Sequence, residues 1–313
     1  MARTGRLPVG GGHVLYWVQA GARDGLPALV LHGGPGSGHS LALWRFFDLG
    51  RYRVTGFDQR GCGQSTPRAC TRHNATAHLL ADIEALRRHL GLERWLVVGG
   101  SWGATLALAY AYRHPGAVRG VLLRSLFVPS QQELDWFFQG AQASHPDAWM
   151  RFAAAAPADQ RARMLPWLAQ VFAGQDAALQ ARATRAWRAW EHVLAGLPPP
   201  PEPTGEALRQ AADRFRVMAH YLAHGCWIDA ARGAPGWGDV AGLRGVPVQF
   251  LHGDNDQVCR IAAARAVHQG VPGSRFAAVA GAGHDPFHPA MADAMAHALA
   301  GFAAHGGAAW ACA

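Results

Sequence analysis

The 313-residue chain is half hydrophobic and only 16% charged, which excludes global disorder and leaves material for a large core. Its 29 basic residues against 21 acidic ones give a net charge of +8, and every basic residue is arginine. The absence of lysine excludes Schiff-base chemistry on a lysine amine and a P-loop with its phosphate-binding lysine. The arginines are scattered and form no basic run, so the charge does not call for a nucleic-acid partner. The five cysteines, Cys62, Cys70, Cys226, Cys259 and Cys312, are odd in number and widely spaced. That fits neither a disulfide framework nor a zinc site and suits a reducing compartment. Residues 1–12 carry no apolar signal core, and no apolar run reaches the roughly 18 residues of a membrane span. A cytoplasmic protein with no membrane partner is expected.

In chain order, residues 14–18, 28–31, 52–57, 95–98 and 118–123 are short apolar runs that predict strands. Between them, residues 77–90 predict a helix, with Leu79, Leu80, Ile83, Leu86 and Leu90 on one side. Residues 104–113 predict a second helix, stopped before Pro115. From 129 to 237 strand signals vanish, and the aromatic residues Trp136, Phe137, Trp149, Trp167, Trp187, Trp190 and Tyr221 fall on helical spacing. Within this stretch the proline-rich run 197–203 can be neither helix nor central strand and reads as an exposed connector. The alternation then resumes, with strands at 248–251 and 275–279 and helices at 261–269 and 290–304. Alternating strands and helices imply an α/β fold with a mostly parallel sheet covered on both faces. Residues 1–128 and 238–313 are expected to form that core domain, and 129–237 an inserted helical cap.

The strongest local signal is Gly99-Gly100-Ser101-Trp102-Gly103, between a strand and a small-residue helix. A serine on such a sharp turn is exposed as a nucleophile, and its neighbours must be glycine for close approach. Serine needs a base oriented by an acid, and in this context the chain order is Ser, acid, His. His252-Gly253-Asp254-Asn255-Asp256 follows one strand and Gly281-Ala282-Gly283-His284 another. Ser101, Asp256 and His284 therefore stand in the right order, with Asp254 as rival acid and His288 as rival base. His284 and His288 have the spacing of a metal pair on a helix, but Pro286 between them argues against a helix, and no metal or cofactor is called for. Acyl transfer also needs two backbone donors for the oxyanion. The N–H of Trp102 is one, and the loop His32-Gly33-Gly34-Pro35-Gly36 can supply the other.

Together, HGGPG at 32–36, the run from Asp58 to Ser65 (DQRGCGQS), GGSWG at 99–103 and the HGxxDxxC pattern at 252–259 resemble the prolyl iminopeptidases. These are serine peptidases of the α/β-hydrolase fold that remove an N-terminal proline. The resemblance covers nearly the whole chain, including the segments 123–127 and 136–139. It implies Asp256 as the acid and Gly34 and Trp102 as the oxyanion donors. It also implies a substrate pocket between core and cap, with Phe127 and Phe137 against the pyrrolidine ring. Glu191, in the pair Trp190-Glu191, would hold the substrate's charged imino group, since a buried ammonium needs a carboxylate partner.

One part of the pattern departs. The family carries a second glutamate two residues before a His-Tyr-Phe, and here the segment reads Met218-Ala219-His220-Tyr221-Leu222. The acidic position is Met218 and the last aromatic is Leu222, so the pocket is more apolar than the resemblance implies. Asp213 is the other carboxylate that could take the missing place. The expected activity is release of an N-terminal proline or similar small residue through an acyl-enzyme. The alternative is an amidase or esterase acting on a small non-prolyl substrate. The partner in either case is a small peptide or small-molecule amide or ester. Cys259 is expected to be a packed thiol, and Asp58 and Arg60 a buried structural pair.

Overall fold

The computed structural model describes residues 2–228, 243 and 245–310. The expected cap boundary at 237/238 and Cys312 lie outside the described residues. Eight strands form one sheet: β1 (Arg3–Val9), β2 (His13–Gly21), β3 (Leu26–Leu31), β4 (Tyr52–Phe57), β5 (Trp95–Gly100), β6 (Val118–Arg124), β7 (Val248–Gly253) and β8 (Arg275–Val279). Their spatial order is β1-β2-β4-β3-β5-β6-β7-β8. β2 runs antiparallel to β1 and to β4, and all other neighbours are parallel.

The sheet forms here because its central strands are apolar on both faces, the signature of a covered parallel sheet. On β5, Trp95 and Val97 point to one face while Leu96 and Val98 point to the other. The first face packs on helices α1 (Thr76–His89) and α2 (Trp102–Arg113), through Leu79, Ile83, Leu86 and Leu106. After β6 come α3 (Gln131–Phe138), α4 (Pro146–Ala153), α5 (Met164–Ala173), α6 (Ala177–Leu194) and α7 (Gly205–Ala223), and after β7 comes α8 (Ile261–Gly270). The second face is covered by α9 (Pro289–His305), through Met291, Met295, Leu299 and Phe302. The hydroxyl of Tyr52 donates to the carbonyl of Leu299 at 2.6 Å and fixes that helix to β4.

β1 is absent from the sequence reading. Its heptapeptide RTGRLPV is broken by Gly5 and Pro8 and is half-buried only at Gly5, Leu7 and Val9. It exists because β2 offers it a partner, with Leu7 opposite Leu15, and because an edge strand tolerates proline. Gly5 is required there: a Cβ would stand 2.5 Å from the ring of Trp17.

The helices between β6 and β7 are joined by aromatic packing. Trp187 stacks on Phe215 with centroids 4.7 Å apart, tying α6 to α7. Trp190 stacks on Phe152, tying α6 to α4, and its indole N–H donates to the Phe137 carbonyl at 2.9 Å. The proline-rich run 197–203 connects α6 to α7 without regular structure. Asp58 and Arg60 are buried but do not pair with each other, which corrects the sequence reading. Arg60 forks onto Asp82 at 2.6 and 2.7 Å, while Asp58 holds His39 and the Gln64 amide. Among the described residues, no helix is long and apolar enough to cross a membrane.

Candidate active site

Ser101 sits between β5 and α2 with φ 56° and ψ −125°, a conformation that L-residues rarely adopt. The turn is possible only with glycine on either side. A Cβ on Gly99 would stand 2.1 Å from the Gly103 carbonyl oxygen, and one on Gly103 would stand 2.1 Å from that of Leu31. The strain lifts Ser101 above the carboxyl ends of the strands, where its side chain lines a cavity of about 290 Å³.

His284 lies in the loop after β8 and lines the same cavity. Its Nδ1 is 2.8 Å from Oδ2 of Asp256 and 3.1 Å from Oδ1. The Asp256 side chain is fully buried, and its Oδ1 also accepts the backbone N–H groups of Val258 and Cys259. Burial alone would raise the pKa of Asp256. The charge and hydrogen bond of His284, the charge of His252 and the Cys259 amide outweigh it and bring the carboxyl down to about 2. Asp254 instead accepts the Gly281 amide at 2.8 Å and shapes the loop that carries His284. His288 does not line the cavity.

Ser101 and His284 do not hydrogen-bond to each other in this structure. The Ser101 hydroxyl lies 3.9 Å from the Cys259 thiol instead. Burial raises the pKa of that thiol well above its ordinary value, so it is a neutral neighbour and not a thiolate nucleophile. Serine–base contacts of this kind tighten when substrate binds.

The glycine loop after β3 is held over Ser101 by a buried relay. Gln59 accepts the indole N–H of Trp102 at 2.9 Å and donates its own amide to the His32 carbonyl at 3.0 Å. The backbone N–H of Gln59 donates to Nε2 of His32, so the proton of this imidazole is on Nδ1, which donates to the Gly33 carbonyl. Burial keeps His32 neutral and pushes its pKa down to about 4. A Cβ on Gly33 would stand 3.4 Å from that of Ser101, which measures how closely the loop approaches. Among the described residues, the N–H groups of Gly34 and Trp102 have no partner within the protein.

Phe127, Phe137, Glu191, Met218 and Leu222 all line the cavity. Asp213 does not line it and pairs with Arg68 at 2.8 Å. Two arginines of the lining were given no role in the sequence reading. Arg124, at the end of β6, is buried and donates to the His284 carbonyl at 2.7 Å. Arg214 on α7 pairs with Glu191 at 2.9 Å. The only sequence signal for Arg214 is its place four residues before Met218, on the same side of a helix.

Sheet order, strained serine turn and buried acid–histidine pair define an α/β hydrolase, and residues 27–290 match the family described as alpha/beta hydrolase fold. A proline iminopeptidase of Xanthomonas citri is 38% identical over 304 residues, covering 96% of each chain. One from Arabidopsis thaliana is 38% identical over 296 residues, covering 92% of this chain and 76% of that one. The crystal structure of the Mycobacterium smegmatis proline iminopeptidase superposes with a TM-score of 0.63 at 20% identity, covering 98% of this chain and 99% of that one. The chain belongs to the proline iminopeptidase family of α/β hydrolases.

Proposed function

We propose that the protein is a serine hydrolase that cleaves the amide bond after a small N-terminal residue, proline first among them, through an acyl-enzyme on Ser101. One observation carries this reading: the strained Ser101, Gly34 and His284 line one cavity, with His284 held by the buried Asp256 and the N–H groups of Gly34 and Trp102 left without partners among the described residues. In the first step the Ser101 hydroxyl attacks the substrate carbonyl and its proton passes to Nε2 of His284. The oxyanion accepts hydrogen bonds from Gly34 and Trp102. Collapse of the tetrahedral intermediate expels the amine, which takes the proton from His284, and leaves an ester on Ser101. Water, deprotonated by His284, then attacks the ester and releases the acid. Asp256 stays ionised throughout, holding the imidazole orientation and stabilising its charged form. The helices from α3 to α7 form the cap, with Phe127 and Phe137 as apolar walls against the ring of the substrate.

The test is hydrolysis of prolyl reporter amides by the wild type and by Ser101→Ala and Glu191→Gln. Absence of cleavage across several prolyl reporters removes the prolyl assignment.

A second reading rests on a specific observation. Glu191, the carboxylate expected to meet the substrate amine, is already paired with Arg214, and Met218 stands at the second acidic position. This favours an amidase or esterase on the same machinery whose acyl group is not a cation.

A further inference from the structure

Among the described residues, three charged side chains besides the histidines line the cavity: Glu191, Arg124 and Arg214. Glu191 is the one carboxylate among these charges, and it is paired with the Arg214 guanidinium. Arg214 Nη2 lies 3.1 Å from its Oε1 and 2.9 Å from its Oε2. An incoming ammonium must therefore compete with a cation of the same chain. That cation is tethered within reach, at an effective concentration that free substrate does not match.

Arg214 is not exhausted by this pair. A guanidinium has five N–H groups in a fixed fork. Nε of Arg214 is buried without a hydrogen-bond partner. Nη1 makes no hydrogen bond among the described residues. The group lies 5.0 Å over the ring of Phe215, which fixes its plane, and its side chain keeps 31% exposure. Nε is closed off from the cavity, so the donor left for a ligand is Nη1, on a side chain that is only partly buried. One helical turn further on, Met218 lines the cavity with a thioether, so α7 puts no carboxylate into the lining to compete.

We propose that Arg214 is a specificity-determining residue: it closes Glu191 to a free N-terminal cation and holds, through its Nη1–H groups, a carboxylate on the acyl part of the substrate. This rests on the second reading above. The substrate class is a small amide or ester whose acyl chain ends in a carboxylate, of about succinyl or glutaryl length. The scissile carbonyl lies at Ser101 and the carboxylate at the α7 side of the cavity.

The experiment compares three p-nitroanilides with one leaving group: prolyl as cation, butyryl as neutral group and glutaryl as anion. The wild type is expected to favour glutaryl over prolyl by about tenfold or more in kcat/KM, the size of one charge-assisted hydrogen bond. Arg214→Gln is expected to invert that order, chiefly through KM, while Arg214→Lys keeps it. A wild type that favours prolyl, or an order unchanged in Arg214→Gln, overturns the proposal. Labelling of Ser101 by a fluorophosphonate judges the underlying hydrolase reading separately. A labelled enzyme that turns over the prolyl but not the glutaryl reporter refutes the charge selection alone, whereas absent labelling refutes the hydrolase. If the Arg214 variants do not fold, protection of wild-type Ser101 from labelling decides. Stronger protection by glutarate than by prolinamide supports the proposal, and the reverse order overturns it.

Discussion

Nη1 of Arg124 donates a 2.7 Å hydrogen bond to the backbone carbonyl of His284. The two residues are 160 positions apart, one at the end of β6 and the other within the loop after β8. Arg124 is buried and forms no salt bridge among the described residues, so its charge acts on its surroundings at little screening. The guanidinium props the loop that presents the imidazole. Arg124→Met removes one charge-assisted bond worth about 1.5–3 kcal/mol, so kcat is expected to fall roughly 10–100-fold with little change in KM. Steady-state kinetics on one reporter separate the two parameters. A fall confined to KM would assign Arg124 to substrate binding instead.

The strain at Ser101 gives a second expectation. Its φ of 56° and ψ of −125° suit glycine better than serine. Ser101→Gly is expected to abolish hydrolysis and raise unfolding stability by about 1 kcal/mol, the lower end of the cost of such a conformation. Urea denaturation of both proteins measures it. A variant less stable than the wild type would mean that the Ser101 hydroxyl contributes more than its backbone costs.

These two residues also show what the sequence could and could not disclose. The serine turn was legible because its requirements are local: a β run, glycines at fixed offsets and a small-residue helix. The order acid then histidine was legible for the same reason, and Asp256 was preferred to Asp254 for its place deeper in the loop, with the family resemblance in support. Arg124 and Arg214 were not legible. The first matters through a carbonyl 160 residues away, and the second through a carboxylate on another helix, 23 residues earlier. The first contact follows from the sheet order that sets β6 beside β7 and β8, and the second from how α6 packs on α7 through Trp187 and Phe215, and no motif marks either. β1 escaped because an edge strand needs a partner more than it needs an apolar pattern.

His32 predicts sensitivity to acid. Burial lowers its pKa from 6.5 to about 4, so the folded state favours the neutral ring. Below pH 6.5 the unfolded chain binds a proton that the folded chain refuses until about pH 4. The stabilisation is whole above that range and is lost as pH falls through it, by about 1.4 kcal/mol per pH unit and roughly 3 kcal/mol in all. His252 and His220 are lowered by burial in the same direction and steepen the loss. His32→Gln is neutral at every pH. It is expected to be less stable at pH 7 but to show a shallower decline between pH 6.5 and 4.5 in denaturant titrations. An unchanged slope would mean that His32 is protonated in the folded state.

Met218 offers the sharpest test of how the cavity reads charge. It is buried, lines the cavity and sits one turn after Arg214 on α7. A glutamate there would lie at the i, i+4 position to Arg214, where a helix brings opposite charges together. It would draw the guanidinium from Glu191 and add a second carboxylate to a lining that holds one. The lining changes from a net positive set of fixed charges to a balanced one, with Glu191 open to an ammonium. Met218→Glu is therefore expected to raise kcat/KM for prolyl reporters by about tenfold or more, within the 1.5–3 kcal/mol of a charged hydrogen bond, and mainly by lowering KM. The change is expected to vanish for N-acetylprolyl reporters, which carry no charge at the same position. Equal gains on both would trace to reshaping of the apolar wall and not to charge.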